Sequence, residues 1–316
     1  MLTATGPTVL RVTREAMGTE FQIVLSGDDE RALESAASYA LDEVERLDRQ
    51  MSLYDPRSEL SWVNANAAEG PVKVEPGLYR VLECAQRVCE ETDGAFDVTV
   101  APLVRLWRAY RRQGTVPPQS EIDRALALVG MEHVQLDPRG KTVCFDRPGI
   151  ALDLGGIAKG YAVDRAAQLL RESGVGSALI HGGWSTVYAL GRTPDRQPWR
   201  IGIRHPRDAE RRMGTVDLAD AALSTSGSYE SFFEVEGVVY SHILDPRTGW
   251  PVQGMLSASV VSATALDGDA LSTAFFVMGE RKTRTCCSTR PEIGAILVPD
   301  PGRDAEPEAV RIGLVQ

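Results

Sequence analysis

The sequence predicts an α+β fold with mixed, largely antiparallel β-sheets and flanking helices. Apolar and polar residues alternate over 8–26 around Met17-Gly18, which predicts a β-hairpin. Apolar residues recur at helical spacing over 30–51, which predicts a long amphipathic helix. Short strand patterns and helices are then interleaved without strict βαβ spacing. One domain over residues 1–316 is expected, and two closely packed α+β lobes with the site between them remain an alternative.

The remaining elements follow from the same periodicities and from turn residues. A second helix is expected over 76–92, and Ser120 is expected to cap a short third helix over 122–128. Further strands are expected over 133–136, 142–145, 178–180, 199–204, 232–235, 238–243 and 293–298, with a late helix over 268–278.

Composition excludes several classes of function. The formal net charge of -10 is spread without blocks of like charge, which argues against nucleic acid or an anionic membrane as the main partner. The five cysteines lack metal-binding spacing. No run of 18 apolar residues and no secretory leader is visible, so a cytoplasmic location is expected; a periplasmic or membrane-facing one stays open if a leader has been removed.

A glycine-rich junction is the most informative local pattern. A short apolar strand at 151–154 is expected to enter Gly155-Gly156 and then a helix that Gly174 closes. Glycines allow close backbone approach to a ligand, and a helix N-terminus attracts phosphates. The pattern is neither a Walker loop nor GxGxxG, so an ordinary tight turn remains an alternative.

Asp269 and Thr273 lie at i and i+4 where the late helix is expected to open. Both would project from one face and offer the oxygen ligands that Mg²⁺ or Ca²⁺ prefers. The alternative is a carboxylate that favours the helix dipole and a hydroxyl bonded back into its own helix.

Three other segments offer groups for catalysis or ring binding. His242 lies at a strand end, where it is either a general base or a structurally satisfied histidine. Tyr54 and Phe96, with Asp97, lie on loops, where aromatic rings either stack on a flat heterocycle or fill the core.

Taken together, six motifs in order resemble the ApbE family of FAD:protein FMN transferases. They are MGT at 17–19, MSLYDPRSEL at 51–60, GAFDVTVAPL at 94–103, LDLGGIAKGYAVD at 152–164, STSG to SHILDPRTG across 224–249, and DALSTAFFVMG at 269–279. The resemblance implies Mg²⁺-dependent transfer of FMN from FAD to a Thr or Ser hydroxyl of a target flavoprotein, with release of AMP. A membrane redox-complex subunit is one candidate acceptor.

The resemblance also implies roles for individual residues. Asp269, Thr273 and the main-chain carbonyl of Ala158 match metal ligands, with Ser272 nearby, and His242 is the candidate base. The positions that match cofactor contacts are Met17, Tyr54, Ala95, Phe96, Asp97, Gly155, Lys159, Tyr161 and Ile243.

One segment departs from the family pattern. Family members commonly have Asn-Ala-Gly-Gly-Asp where this chain has Ile180-His-Gly-Gly-Trp184, so the flavin pocket or the choice of acceptor is expected to differ. Two other functions stay open: an Mg²⁺-dependent FAD pyrophosphatase that gives FMN and AMP, and a non-catalytic FAD-binding or flavin-delivery protein.

Overall fold

The computed structural model describes residues 8–229 and 231–313. The strands are β1 (Thr8–Ala16), β2 (Thr19–Gly27), β3 (Val72–Lys73), β4 (Val134–Asp137), β5 (Thr142–Phe145), β6 (Ser177–Gly182), β7 (Thr186–Gly191), β8 (Trp199–His205), β9 (Asp208–Leu218), β10 (Ala221–Gly227), β11 (Phe232–Val235), β12 (Val238–Ser241), β13 (Met255–Ser262), β14 (Gly294–Pro299) and β15 (Val310–Ile312). The helices are α1 (Glu30–Met51), α2 (Glu59–Asn66), α3 (Pro76–Glu91), α4 (Ala101–Arg112), α5 (Gln119–Leu126), α6 (Ala158–Glu172) and α7 (Ala265–Thr289).

An antiparallel sheet organises this part of the chain. Its strand order is β1-β2-β6-β7-β10-β13-β14-β15, and smaller sheets are formed by β3-β5-β4, β8-β9 and β11-β12. The predicted first hairpin is confirmed, with Ala16 opposite Thr19 and positive φ angles of 52° at Met17 and 72° at Gly18. Two central residues with positive φ match the right-handed twist of the flanking strands.

Helices cover one face of the main sheet. The apolar stripe of α1 is buried there, and Asp29 caps the helix by accepting a hydrogen bond from the Ala32 N–H at 3.1 Å. Helices α6 and α7 pack against each other, and α7 lies on β10 and β13. On the opposite face the β8–β9 ribbon covers a second apolar cluster that includes Leu179, Ile203 and Leu223.

Two local predictions are wrong. Residues 151–154 form no strand: the Asn64 side chain bonds both the N–H and the carbonyl of Leu152, so a side chain takes the place of a strand partner. The short helix α5 begins at Gln119 behind Pro118, with no side-chain cap, so Ser120 lies inside it.

The late helix also differs from its prediction. It begins at Ala265, where the Thr264 side chain accepts from the Asp267 N–H at 3.2 Å, and it runs to Thr289 across a break at Gly279. Asp269 therefore lies beyond the first turn instead of opening the helix.

Several strands escaped the sequence analysis. β10 consists mainly of small residues and packs against α7, so it shows little hydrophobic alternation. β13 is mostly buried along its length, and a strand covered on both faces loses the two-residue period.

Across residues 8–229 and 231–313, no helix combines the length and apolar character needed to cross a bilayer.

Candidate functional site

A cavity of about 470 Å³ lies where the separate sequence motifs converge. Its walls come from the loop before α4, the glycine-rich loop before α6, the end of β10, the segment after β12 and one face of α7. The sequence-predicted residues on its wall are Tyr54, Ala95, Phe96, Asp97, Gly155, Lys159, His242, Ile243, Asp269 and Thr273.

Three predicted residues do not line this cavity. Met17 lies in the β1–β2 turn. Ala158 is the buried first residue of α6. Tyr161 is buried with its hydroxyl against α3, where a Cβ added to Gly77 would lie 2.9 Å from that oxygen. Their roles in binding the metal or the cofactor stay predictions.

The glycine-rich loop approaches α7 closely. A Cβ on Gly156 would lie 3.2 Å from a Phe96 ring carbon and 3.4 Å from Thr273 Oγ1. The Gly155 N–H donates to Asp153 at 2.9 Å, and Lys159 Nζ donates to the Gly155 carbonyl at 3.2 Å. The loop therefore brings the N-terminus of α6 and a lysine to the cavity, an arrangement suited to phosphate groups.

Asp269 is a buried carboxylate of the site, with 4% of its surface exposed. Its Oδ2 accepts from the Gly160 N–H at 2.9 Å, and its Oδ1 accepts from Thr186 Oγ1 at 3.3 Å. The sequence analysis did not identify Thr186 as a site residue, because nothing in the sequence marks it except its position just after the Gly182-Gly183 turn. Since each carboxylate oxygen can accept more than one bond, Asp269 retains capacity for a further partner.

Thr273 does not bond back into its own helix in the way the alternative explanation required. Its Oγ1 lies 3.0 Å from Ser226 Oγ, which also lies 2.9 Å from Ser272 Oγ. A hydroxyl cluster therefore joins the end of β10 to α7, one helical turn beyond Asp269.

The donor set suits a hard cation. Within the described ranges, no group of three or more His, Cys, Asp or Glu side chains is arranged to hold a metal ion. One carboxylate with hydroxyl and carbonyl oxygens is a set that fits Mg²⁺, which commonly keeps several waters and takes few protein ligands. Asp269 and Thr273 fit such a set by both chemistry and position.

His242 follows β12 and is exposed to the cavity. Its Nδ1 lies 2.8 Å from the Ser231 carbonyl oxygen. Because a carbonyl oxygen only accepts, Nδ1 carries a proton, which leaves Nε2 free to accept one in the neutral ring. Desolvation lowers the pKa of His242, and the positive charges of Lys159 and Arg111 lower it further.

Asp97 stabilises the loop before α4 that carries Ala95 and Phe96. Its Oδ1 accepts from the Thr99 N–H at 2.8 Å, and its Oδ2 accepts from the Met131 N–H at 3.0 Å. Burial raises the pKa of Asp97, and these hydrogen bonds oppose the increase. The carboxylate thus fixes the loop that places Ala95 and Phe96 on the cavity wall.

An aromatic and basic wall was missed by the sequence analysis. Trp107 lies 6.1 Å from Phe233 between ring centroids, and both rings line the cavity. Arg108 donates to the Tyr54 hydroxyl at 2.6 Å, and Arg111 donates to Ser231 Oγ at 2.8 Å. The i, i+3 spacing of the two arginines indicates that they share one face of α4. The residues that they bond, Tyr54 and Ser231, lie on other elements, so the sequence did not reveal the contact.

Proteins of known name resemble this chain over most of its length. The model of the ApbE family matches residues 17–297. A relative from Klebsiella pneumoniae named FAD:protein FMN transferase is 34% identical over 89% of this chain and 86% of its own. One from Vibrio cholerae with the same name is 36% identical over 80% of this chain and 75% of its own.

Solved structures confirm the predicted fold class. The ApbE protein of Thermotoga maritima superposes with a TM-score of 0.85 at 32% identity, covering 96% of this chain and 97% of that one. The flavin transferase ApbE of Vibrio cholerae gives 0.83 at 30% identity, covering 97% of each chain. The chain shares the motifs and the fold of the ApbE family, and its motifs converge on one cavity. We conclude that this chain belongs to the ApbE family.

Proposed function

We propose that this protein transfers FMN from FAD to a Thr or Ser hydroxyl of a target flavoprotein in a Mg²⁺-dependent reaction that releases AMP. The observation that carries the proposal is the convergence of the Gly155-Gly156 loop, the Asp269/Thr273 pair and His242 on one cavity. The name FAD:protein FMN transferase, borne by relatives over most of the chain, supports the same activity.

The cavity offers separate surfaces for the parts of FAD. Tyr54, Phe96 and Phe233 provide rings on which a flat heterocycle can stack. The loop before α6 and Lys159 provide N–H groups and positive charge for the pyrophosphate. Met17 and Tyr161, although outside the cavity wall, remain proposed cofactor contacts by family position.

The metal would be held by Asp269, Thr273 and the main-chain carbonyl of Ala158. When bound, Mg²⁺ neutralises negative charge that develops on the pyrophosphate oxygens. The Gly160 N–H and Thr186 orient the Asp269 carboxylate. An oriented ligand loses less conformational entropy on binding the ion.

The transfer is one substitution at phosphorus. The acceptor hydroxyl oxygen forms a bond to the phosphorus of the FMN half, and the bond from that phosphorus to the oxygen bridging it to AMP breaks. AMP leaves with that bond's electron pair. The hydroxyl proton passes to Nε2 of His242, whose lowered pKa keeps the ring neutral before the step.

Incubation with FAD, Mg²⁺ and a flavoprotein domain bearing an acceptor Thr tests the proposal. We expect one AMP released for each covalent FMN on the acceptor, measured by intact mass and chromatography. An acceptor with Thr changed to Val is the control. Binding of intact FAD without any adduct, across several acceptor domains, would contradict the transferase and favour a flavin-binding or delivery protein.

Hydrolysis of FAD is the second candidate. His242 is exposed within an open cavity, so water can replace the acceptor hydroxyl with the same metal and phosphate contacts. AMP and free FMN formed at a rate that acceptor protein does not change would favour the pyrophosphatase.

A further inference from the structure

A second cavity, of about 550 Å³, lies on the opposite face of the main sheet under the β8–β9 ribbon. Leu179, Val187 and Leu223 form part of its floor. Ser185 and Thr225 line both this cavity and the first one. The two cavities therefore lie next to each other at the start of β7 and near the end of β10.

The ribbon wall of this second cavity carries an unusual pair of charges. Arg204 on β8 pairs with Arg212 on β9 at an irregularity in the strand register, and both residues line the cavity. Arg212 donates to the carbonyls of Ala209 and Arg211, and Arg204 lies over the Tyr229 ring at 5.4 Å. Within the described ranges neither arginine forms an ion pair with a carboxylate.

Like charges directly opposite each other on paired strands are destabilising. An anionic group between Arg204 and Arg212 would remove that repulsion, and the arrangement stands out in a chain with net charge -10. Arg200, on the same wall, is already paired with Asp217 at 2.9 Å. Glu210 also lines this cavity, and Arg204 and Arg212 are the lining arginines that form no ion pair within the described ranges.

The rim of the second cavity carries an exposed aromatic side chain. Trp184, in the β6–β7 turn, has 93% of its surface exposed and lines the cavity beside Ser185. Tryptophan is enriched among the residues that contribute most of the binding energy at protein–protein interfaces. An exposed tryptophan on the rim of a cavity is therefore suited to burial against a partner protein. It is also, with His181, one of the residues at which this chain departs from the pattern of the ApbE family.

We propose that this second cavity is an acceptor groove, defined by Trp184, Arg204 and Arg212 together with the shared Ser185 and Thr225. Its occupant is a segment of the target flavoprotein with an acidic side chain for the arginine pair and an apolar one for Trp184. The shared wall lets such a segment extend its Thr or Ser hydroxyl toward the first cavity. The inference rests on the proposed function and identifies how the acceptor is recognised.

A polypeptide fits the groove better than a part of FAD does. The glycine-rich loop, Lys159 and Asp269, which suit the pyrophosphate and its metal, all line the first cavity and not the second. The acceptor must approach from solvent, and the groove gives it a route that the phosphate-binding elements do not occupy.

The test measures flavinylation kinetics against acceptor concentration for Trp184→Ala and for Arg204→Glu combined with Arg212→Glu. We expect the KM for acceptor to rise about tenfold or more in each, with kcat at saturating acceptor and the FAD affinity within about twofold of wild type. The control is Arg303→Glu, an exposed charge reversal outside both cavities. An acceptor with its acidic residues changed to Lys should reverse the difference, with a lower KM for the double variant than for the wild type.

Two results would overturn the proposal. If the KM for acceptor changes no more in Trp184→Ala than in Arg303→Glu, the groove does not dock the acceptor; the exposed position of Trp184 makes misfolding an inadequate explanation. If FAD affinity falls in step with the KM effect, the groove holds part of the dinucleotide instead. Failure of the wild type to modify any acceptor would count against the proposed function itself.

Discussion

Asp269 on α7 accepts a hydrogen bond of 2.9 Å from the main-chain N–H of Gly160 on α6. At the same crossing, a Cβ on Gly160 would collide with the Ala265 carbonyl oxygen and lie 2.8 Å from Asp269 Cβ. The proposed metal carboxylate is therefore fixed to the helix whose N-terminus faces the proposed pyrophosphate site. The two parts of the site are held in one arrangement by backbone contact.

Gly160→Ala should disrupt this crossing. We expect a loss of about 3 kcal/mol in the free energy of unfolding, because the new methyl group meets backbone that cannot rotate away. Urea unfolding measures this, and AMP release should fall with it. Gly176→Ala is the matched control, since a Cβ there meets nothing within 4 Å. Equal stability of the two variants would contradict the close packing.

Asp269→Ala should abolish turnover while leaving most FAD affinity. Loss of the only carboxylate in the proposed metal set should lower the rate of AMP release about 10³-fold or more and weaken Mg²⁺ binding. Asp269→Asn retains an acceptor for the Gly160 N–H and separates the effect of charge from that of packing. Near-normal turnover of the Ala variant at low Mg²⁺ would show that Asp269 is not a metal ligand.

The pH profile should report His242. Because the neutral ring is the proposed base, the rate should fall as pH drops through a pKa below the ordinary value of about 6.5. Lys159→Gln removes a positive charge that lowers this pKa, so the acidic limb should move to higher pH. His242→Gln should lose that limb. An acidic limb that persists in His242→Gln would assign it to another group.

Asp164 should make stability depend on pH. Its carboxylate accepts from the N–H groups of Ala265 and Leu266 at 2.7 and 2.9 Å, and burial raises its pKa to about 6. A carboxyl with a raised pKa in the folded state gives stability that is full below the unfolded pKa of about 4 and is lost as pH rises through 6.

Relative to Asp164→Asn, the wild type should therefore lose about 2 to 3 kcal/mol of unfolding free energy between pH 4 and pH 7. Urea unfolding of both proteins across this range measures the difference. Parallel stability curves for the two proteins would contradict the raised pKa.

Short-range patterns determined much of this protein. The turn at Met17-Gly18, the α1 helix and the strands β11 and β12 were predicted because hydrophobic period and turn chemistry act within a few residues. The family motifs also identified ten of the residues on the cavity wall. The division into domains and the cellular location remain predictions.

Only the tertiary structure decided the rest. Residues 151–154 look like a strand, yet the Asn64 side chain, from a distant helix, bonds both backbone groups of Leu152. The Asp269–Thr186 contact and the Arg204–Arg212 pairing likewise depend on elements far apart in sequence or on strand register. Small residues such as those of β10 carry no periodic signal of their own. Their positions are set by packing against α7, because close helix-on-sheet contact requires small side chains, and no local pattern encodes that contact.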